Sequence, residues 1–240
     1  LSEDQIIEFF EKKGFDSYRG RQVYEWIWRK SCYSFDEMTN ISKDLRNVLD
    51  NHFVINHIQV DKIQKSFDGT IKNAVKLHDD HTVESVLIPT DDRTTACVSS
   101  QVGCSLDCKF CATSKLKRMR NLNPDEIYDQ VVTINDQSLK YFNRPLSNIV
   151  YMGMGEPLMN YNNLIKSIEK ISSDKGLDMS QKRIVVSTSG IPKMIKKLAD
   201  ENLKVNLALS LHSAIEETRN KIMPFSKKFS LDEIKDSLIY

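Results

Sequence analysis

From residue 94 onward, short β-rich runs alternate with segments of helical periodicity. The β-rich runs are TTACVSS, NIVYM, RIVVST and KVNLALSL, and helices are predicted between them. Such alternation predicts parallel βα units with buried strands, whose ligand sites lie at the C-terminal ends of the strands. Because four such strands do not close a barrel, we expect an α/β fold with an incomplete parallel (β/α) barrel.

Two different patterns precede this alternation. Residues 1–52 contain three amphipathic helical segments, which predict a small N-terminal helical domain of the RNA-binding type. Residues 53–92 contain three β-rich runs separated by the turn signals Asp68-Gly69 and Asp79-Asp80, which predict an extension of antiparallel strands. The βα core would then occupy residues 93–240.

The composition and the N-terminal sequence bear on where the protein is located, but they say little about its binding partners. The 34 basic and 33 acidic residues give a net charge of +1, so any basic surface must be local. No apolar run approaches the ~20 residues of a membrane span, and LSEDQIIEFFEKKG does not resemble a signal peptide. We therefore expect a cytoplasmic, monomeric protein without membrane contact. Because the last predicted helix is uncapped, we expect the natural protein to continue beyond Tyr240.

Three of the five cysteines lie within eight positions, spaced C-x3-C-x2-C at Cys104, Cys108 and Cys111. Three thiolates on one loop can hold three irons of a [4Fe–4S] cluster and leave the fourth iron open for another ligand. The alternative is a structural zinc ion, which requires a fourth ligand such as Cys97 or a histidine. Phe110, next to the last cysteine of the loop, is suited to stacking near an adenine.

One βα unit later, the strand NIVYM runs into the sequence GMGEP at 153–157. Glycines at this point allow the backbone to approach a ligand closely, and Glu156 can accept a hydrogen bond from an ammonium group. A three-cysteine loop followed by this motif favours a cluster with a bound cofactor over a structural zinc site.

These motifs resemble the radical S-adenosylmethionine superfamily. The sequences CVSSQVGC (97–104), GMGEPLMN (153–160), VSTSG (186–190) and SLH (210–212) resemble the RlmN/Cfr RNA methyltransferases in particular. The match covers most of the chain. Pro157 and the STSG form of the third motif are similar to the RlmN branch, which acts on adenine C2.

The resemblance implies a role for each matching residue. Cys104, Cys108 and Cys111 match the cluster ligands of the family. The residues that match contacts to S-adenosylmethionine are Gly155, Glu156, Ser187, Ser210, Leu211 and His212. The implied substrates are rRNA and tRNA, and a separate electron donor protein is implied as well.

Glu84 and Cys97 match the two catalytic residues of the family. The implied route abstracts hydrogen from a methyl group carried by a C-terminal cysteine and adds the resulting radical to adenine C2. Glu84 then removes the C2 proton, and Cys97 resolves the adduct as a disulfide forms. Strand alternation places Glu84 on one face with Val86, either partly buried or at the rim of the sheet, and Cys97 needs an open setting to act as a thiolate.

The chain departs from the family pattern because it has no cysteine after Cys111. We expect these 240 residues to hold the cluster but not to methylate RNA by themselves. Two alternatives stay open: a radical S-adenosylmethionine enzyme with another substrate, and a zinc-stabilised RNA-binding module. A basic run after the cluster loop, Lys115, Lys117, Arg118 and Arg120, is a candidate for phosphate contacts.

Overall fold

The structure, a computed structural model, describes all 240 residues from Leu1 to Tyr240. The α-helices are α1 (Glu3–Lys12), α2 (Ser17–Trp28), α3 (Lys43–His52), α4 (Pro124–Phe142), α5 (Tyr161–Ser172), α6 (Pro192–Asp200), α7 (Glu216–Ile222) and α8 (Leu231–Ile239). The strands are β1 (Gln59–Lys65), β2 (Ile71–Lys76), β3 (Thr82–Pro89), β4 (Thr94–Cys97), β5 (Gln101–Val102), β6 (Arg120–Asn121), β7 (Asn148–Tyr151), β8 (Ile184–Thr188) and β9 (Asn206–Leu209). None of the eight α-helices combines the length and the apolar character that crossing a membrane requires.

The chain divides into two compact units, Leu1–His57 with Glu169–Met179 and Ile58–Ile168 with Ser180–Tyr240. The first unit contains α1, α2 and α3. A capping box formed by Ser2 and Gln5 begins α1, and Phe10 is fully buried in this unit.

The second unit is built on a seven-stranded sheet of order β1-β2-β3-β4-β7-β8-β9. Strands β1 to β4 pair antiparallel, and β4, β7, β8 and β9 pair parallel. The sheet confirms the expected α/β fold, with antiparallel strands added to the edge of parallel βα units. The sequence pattern did not predict the ribbon of β5 and β6 or the short helix α7.

One face of this sheet is buried under helices. Asn73 of β2 exchanges two side-chain hydrogen bonds with Gln137 of α4, at 3.0 and 2.7 Å. The hydroxyl groups of Tyr151 in β7 and Ser167 in α5 lie 2.8 Å apart. The apolar residues of this face are Ile71, Val75, Val83, Leu87, Ala96, Ile149, Ile184 and Val186. Helix packing therefore fixes which side chains remain on the opposite face.

The opposite face is more open and carries Cys97 near the centre of the sheet. Cys97 is directly opposite Val86 of β3 and Val150 of β7. Both valines are only partly buried, whereas Cys97 itself is buried. The C-terminal ends of β4, β7, β8 and β9 lie at one edge because these strands run parallel, so the loops that follow them converge there.

Candidate active site

The cysteine loop follows β4 and β5 at this edge of the sheet. Cys104 and Cys108 are buried, Cys111 is partly exposed, and all three are free thiols. The Ser114 hydroxyl group contacts the carbonyl oxygens of Cys108 and Cys111 at 2.6 and 2.7 Å. These contacts fold the loop back on itself between Cys108 and Cys111, and all three cysteines pack in one cluster with Met223.

Gly103, directly before Cys104, allows the backbone to pass close to the later part of the same loop, at Lys117. Its φ is +72°, and a Cβ atom at this position would lie 2.2 Å from the carbonyl oxygen of Lys117. Both the backbone conformation and the available space therefore require glycine directly before Cys104. A cavity of about 440 Å³ adjoins this loop and is lined by Cys104, Ser105, Asp107, Ser114, Lys115, Leu116, Lys117 and Arg118.

The three thiols and Glu156 form one electrostatically coupled group. Burial, followed by the charges of Cys104, Cys111 and Glu156, raises the pKa of Cys108 to about 11. Burial also raises the pKa of Cys104, with Cys111 and Glu156 contributing. Anionic forms of these groups thus disfavour one another, and a cation bound among them would relieve that repulsion. No three His, Cys, Asp or Glu side chains anywhere in the chain are spaced to share a single metal ion.

The loop after β7 carries Glu156 into the interior. Its Oε2 atom accepts hydrogen bonds from the amide and the hydroxyl group of Ser189, at 2.7 and 2.8 Å. Its Oε1 atom accepts from the amide of Leu158 at 3.2 Å. The carboxylate is buried, and this burial raises its pKa. It therefore joins the loops after β7 and β8 directly.

The two glycines of the GMGEP motif pack against β4 and β5. A Cβ atom on Gly153 would lie 2.7 Å from the hydroxyl oxygen of Ser99, and one on Gly155 would lie 2.5 Å from Cβ of Gln101. Gly155 also has a φ of +99°. Both glycines therefore allow this loop to pack closely against the segment that joins β4 to β5 and against the start of β5.

The ends of β8 and β9 bring further predicted residues together. The hydroxyl groups of Ser187 and Ser210 are 3.4 Å apart, and both are partly exposed. His212 has a φ of +58°, a backbone conformation that side chains other than glycine adopt rarely. Its ring packs against Phe110 of the cysteine loop, with ring centroids 4.1 Å apart. Leu211, between these residues, is exposed.

Glu84 and Cys97 lie on the same open face of the sheet. Val86 is directly opposite Cys97, and Glu84 is two residues from Val86 along β3, so Glu84 is the diagonal neighbour of Cys97 at a Cα separation of about 7–8 Å. Glu84 is half exposed and forms an ion pair with Lys72 at 2.6 Å. Cys97 is buried and does not have the open setting that we expected. This burial raises the pKa of its thiol to about 11.

Two arginines have roles that the sequence pattern did not show. Arg120, a candidate phosphate contact, instead pairs with both carboxylate oxygens of Glu126 and with Asp79, at distances of 2.7, 2.7 and 2.6 Å. Arg219 of α7 is 1% exposed, and its guanidinium donates to the carbonyl oxygens of Leu211 and Ser189. A buried arginine has no distinctive sequence signal, since its neighbours are determined by packing.

A parallel βα sheet with a three-cysteine loop and a buried glutamate at its strand ends is the arrangement of the radical S-adenosylmethionine class. The model of that superfamily matches residues 98–238. The model of the ribosomal RNA large subunit methyltransferase N-terminal domain matches residues 1–55.

Comparison with individual proteins gives a narrower assignment. A probable dual-specificity RNA methyltransferase RlmN of Christiangramia forsetii is 67% identical over all of this chain and 68% of its own length. The dual-specificity RNA methyltransferase RlmN of Desulfotalea psychrophila is 41% identical over 99% of this chain and 67% of its own. A radical SAM methyltransferase from Sphaerobacter thermophilus superposes with a TM-score of 0.91 at 34% identity, covering 99% of this chain and 70% of that one. The chain belongs to the RlmN family, which confirms the resemblance of its motifs.

Proposed function

We propose that this chain supplies the cluster, the cofactor site and the RNA-acting residues Glu84 and Cys97 of a radical S-adenosylmethionine RNA methyltransferase that methylates C2 of an adenine in 23S rRNA and in tRNA; the methyl-carrying cysteine of that route is not among these 240 residues. The observation that carries the proposal is the convergence of three elements at one edge of the sheet: the three-cysteine loop, the buried Glu156, and the Ser187–Ser210 pair. The names of the relatives supply the RNA substrate.

Cys104, Cys108 and Cys111 would hold a [4Fe–4S] cluster. Their fit is supported by the packing of all three cysteines in one cluster with Met223, and by the unfavourable interaction of the Cys108 thiolate with the charges of Cys104, Cys111 and Glu156, which a cationic core relieves. A cluster also spreads its ligands more widely than a single zinc ion, because each thiolate binds a different iron. When bound, the cluster and S-adenosylmethionine supply one-electron chemistry that reaches a carbon atom lacking nucleophilic character.

Glu156 and its neighbours would bind the amino-acid part of S-adenosylmethionine. A cationic ammonium group placed beside the buried carboxylate counteracts the burial that raises its pKa. Gly155 precedes this carboxylate, and Ser187, Ser210 and the SLH segment supply hydroxyl and backbone groups at the next strand ends. Phe110, packed on His212, offers an aromatic surface beside the cysteine loop.

Glu84 and Cys97 would act on the RNA adduct from the open face of the sheet. Glu84 takes the C2 proton on its carboxylate, which Lys72 keeps oriented through their ion pair. Cys97 must lose its own proton before it attacks, and its burial opposes that step. The diagonal placement of the two residues lets both reach one adduct lying over β3 and β4.

The loop after the cluster would contact the RNA backbone. Lys115, Lys117 and Arg118 line the cavity beside Cys104, and each of the three is at least partly exposed. Arg120 is excluded from this role because its guanidinium is held by Glu126 and Asp79. An electron donor protein is required in addition to the RNA.

The decisive experiment is anaerobic reconstitution of the 240-residue chain, followed by iron, sulfide and zinc analysis. We expect about four irons and four sulfides per chain, and loss of both in the variant Cys104→Ala/Cys108→Ala/Cys111→Ala. Cys32→Ala is the matched control, since Cys32 is buried in the other unit of the chain and should leave the iron content unchanged. Stoichiometric zinc without labile sulfide would instead support a zinc-stabilised RNA-binding module.

A second measurement tests the RNA substrate. Binding of an adenine-containing rRNA hairpin should weaken with salt, and neutralising Lys117 with Lys117→Met should reduce the slope of log K against log salt by about one. Lys221→Met is the control, because Lys221 is exposed on α7 and outside the cavity beside Cys104. Equal slopes for the wild type and Lys117→Met would remove this loop from the RNA contact.

A further inference from the structure

Arg219 is the largest side chain that is fully buried, and its positive charge has no carboxylate partner. Its Nε atom donates to the carbonyl oxygen of Leu211 at 3.2 Å, and one terminal nitrogen donates to that of Ser189 at 2.5 Å. No ion pair in the structure includes it. Buried charges are strongly disfavoured unless an opposite charge compensates them, and the direct partners of this guanidinium are two backbone carbonyl groups rather than a carboxylate.

The cysteine loop packs against the end of this helix, and its three cysteines would be anionic thiolates when they hold the cluster. Met223, directly after α7, packs with Cys104 and Cys108, and its amide donates to the carbonyl oxygen of Arg219 at 2.8 Å. The amide of Lys109 donates to the carbonyl oxygen of Ile222 at 2.8 Å. These contacts fix α7 to the loop at two points. Burial lowers the pKa of Arg219, and the charges that oppose this effect are those of Cys108 and the exposed Glu216.

We propose that Arg219 is the buried counter-charge of the cysteine loop and that it raises the reduction potential of the cluster held there. The inference rests on the proposed iron–sulfur function. Three thiolates make a cluster assembly anionic, and one-electron reduction adds a further negative charge to it. A fixed cation in a buried setting stabilises the reduced form more than the oxidised form, since the potential depends on net charge and on solvent exposure.

Arg219 is thus a positioning and electrostatic residue rather than a catalytic one. Its two carbonyl contacts also connect the loop after β8 with the loop after β9, where Ser189 and Leu211 lie. If Arg219 had only a structural role, its effect would come from these two hydrogen bonds and not from its charge. The charge and the hydrogen bonds can be separated, because lysine keeps the charge and loses the fork of donors, whereas methionine loses both.

The test is a redox titration of the reconstituted protein, in which dithionite reduces the cluster and electron paramagnetic resonance measures the reduced fraction. At the potential where the wild type is half reduced, Arg219→Met should show a ratio of reduced to oxidised cluster about tenfold lower, equivalent to about 59 mV for one electron. Arg219→Lys should stay near the wild-type ratio. Lys221→Met, which neutralises an exposed cation on the same helix, should not change the ratio because water screens that charge.

Each outcome decides between the charge and the structural role. An Arg219→Met protein that retains its iron and titrates like the wild type would overturn the proposal. If Arg219→Met does not fold, Arg219→Gln, which also removes the charge, takes its place: a ratio about tenfold below that of the wild type supports the proposal, and a wild-type ratio overturns it. A large fall in the reduced fraction of Arg219→Lys would assign the effect to the lost hydrogen bonds. If the wild type takes up no iron–sulfur cluster, the proposed function is wrong. That result differs from a bound cluster whose reduced fraction is the same with and without Arg219, which would contradict only the present proposal.

Discussion

The Oε2 atom of Glu156 accepts two hydrogen bonds from Ser189, one from the amide at 2.7 Å and one from the hydroxyl group at 2.8 Å. The two residues follow different strands, β7 and β8, so this contact fixes the relative position of two loops of the site. It also places a carboxylate in the interior, where the low dielectric favours its neutral form.

Stability should therefore depend on the protonation of Glu156. Burial raises the pKa of Glu156, so the folded state binds a proton that the unfolded chain has already released. The free energy of unfolding should fall as the pH rises from the ordinary carboxyl range through the folded pKa, with a slope of up to about 1.4 kcal/mol per pH unit. Glu156→Gln should remove this slope in urea unfolding series between pH 4 and 8.

The matched control is Glu217→Gln, which changes a glutamate whose side chain is exposed on α7. Its pH dependence should follow that of the wild type. Identical slopes for the wild type and Glu156→Gln would show that Glu156 is ionised throughout this range.

Cys97 should react slowly with alkylating reagents in the apo protein. Burial raises its pKa to about 11, against a smaller effect of a hydrogen bond with the backbone of Met152. Because only the thiolate reacts, its fraction at pH 8 is about one in a thousand, and the rate should still rise tenfold per unit up to about pH 10. Peptide mass spectrometry after iodoacetamide treatment measures this rate, with Cys97→Ser confirming the modified position. A rate that levels off near pH 8.5 would contradict the buried setting.

Gly103→Ala should displace the cysteine loop. The new Cβ atom would meet the carbonyl oxygen of Lys117 at 2.2 Å, in addition to the cost of a positive φ. Gly14→Ala is the matched control, because Gly14 has a φ of +79° and no atom within 4 Å of the added carbon. We expect a loss of about 1 kcal/mol for Gly14→Ala and about 3 kcal/mol or more for Gly103→Ala.

Calorimetric melting and the iron content after reconstitution check this pair of variants. Iron uptake should fall only in Gly103→Ala. Equal stability and equal iron content in the two variants would mean that the loop relaxes without cost.

Arg120→Met should destabilise the protein, whereas Lys117→Met should not. Arg120 is the partner of Glu126, which is buried, and it holds the pKa of Asp79 well below its usual range. Removing it leaves the buried Glu126 carboxylate with the Asn123 amide at 2.8 Å and the His78 ring at 3.7 Å but without a permanent cation, which costs about 3 kcal/mol at neutral pH. The contribution of Asp79 is present above the ordinary carboxyl pKa and is lost as the pH falls toward its folded value.

The difference in unfolding free energy between the wild type and Arg120→Met should consequently shrink below about pH 4. Urea titrations at pH 3 and pH 7 measure it. A constant difference at both pH values would show that Arg120 stabilises the protein through packing and not through its charge.

Local sequence signals predicted much of the fold. Asn123, Pro124 and Glu126 predict the start of α4, and the structure has a capping box there. Ser230 and Glu233 likewise begin α8. These signals succeed because a cap is satisfied by atoms three residues away, within one turn of the same helix. Similarly, the turn signals at Gly69 and Asp80 lie between strands that pair antiparallel.

The motifs also predicted a candidate site at the C-terminal ends of the parallel strands, and the structure brings the motif loops together at that edge. Once the strands are parallel, the segments after β4, β7, β8 and β9 must meet. The sequence could not show that Cys97 is buried while Glu84 is half exposed on the same face, because that depends on which neighbours cover each side chain. Nor could it distinguish Arg120, which is held in an ion-pair network, from Lys117, since both belong to one basic run.

The sequence by itself therefore determined the family, the succession of elements and the cysteine spacing, all of which depend on residues close together in the chain. Only the tertiary structure decided the charges around the cysteine loop. Arg219 lies 108 positions after Cys111 in the sequence, and the contacts between the segment Ile222–Met223 and the cysteine loop bring its helix against that loop. The physical reason is that desolvation and the electrostatic neighbours of a group depend on distance in space, and the fold sets that distance.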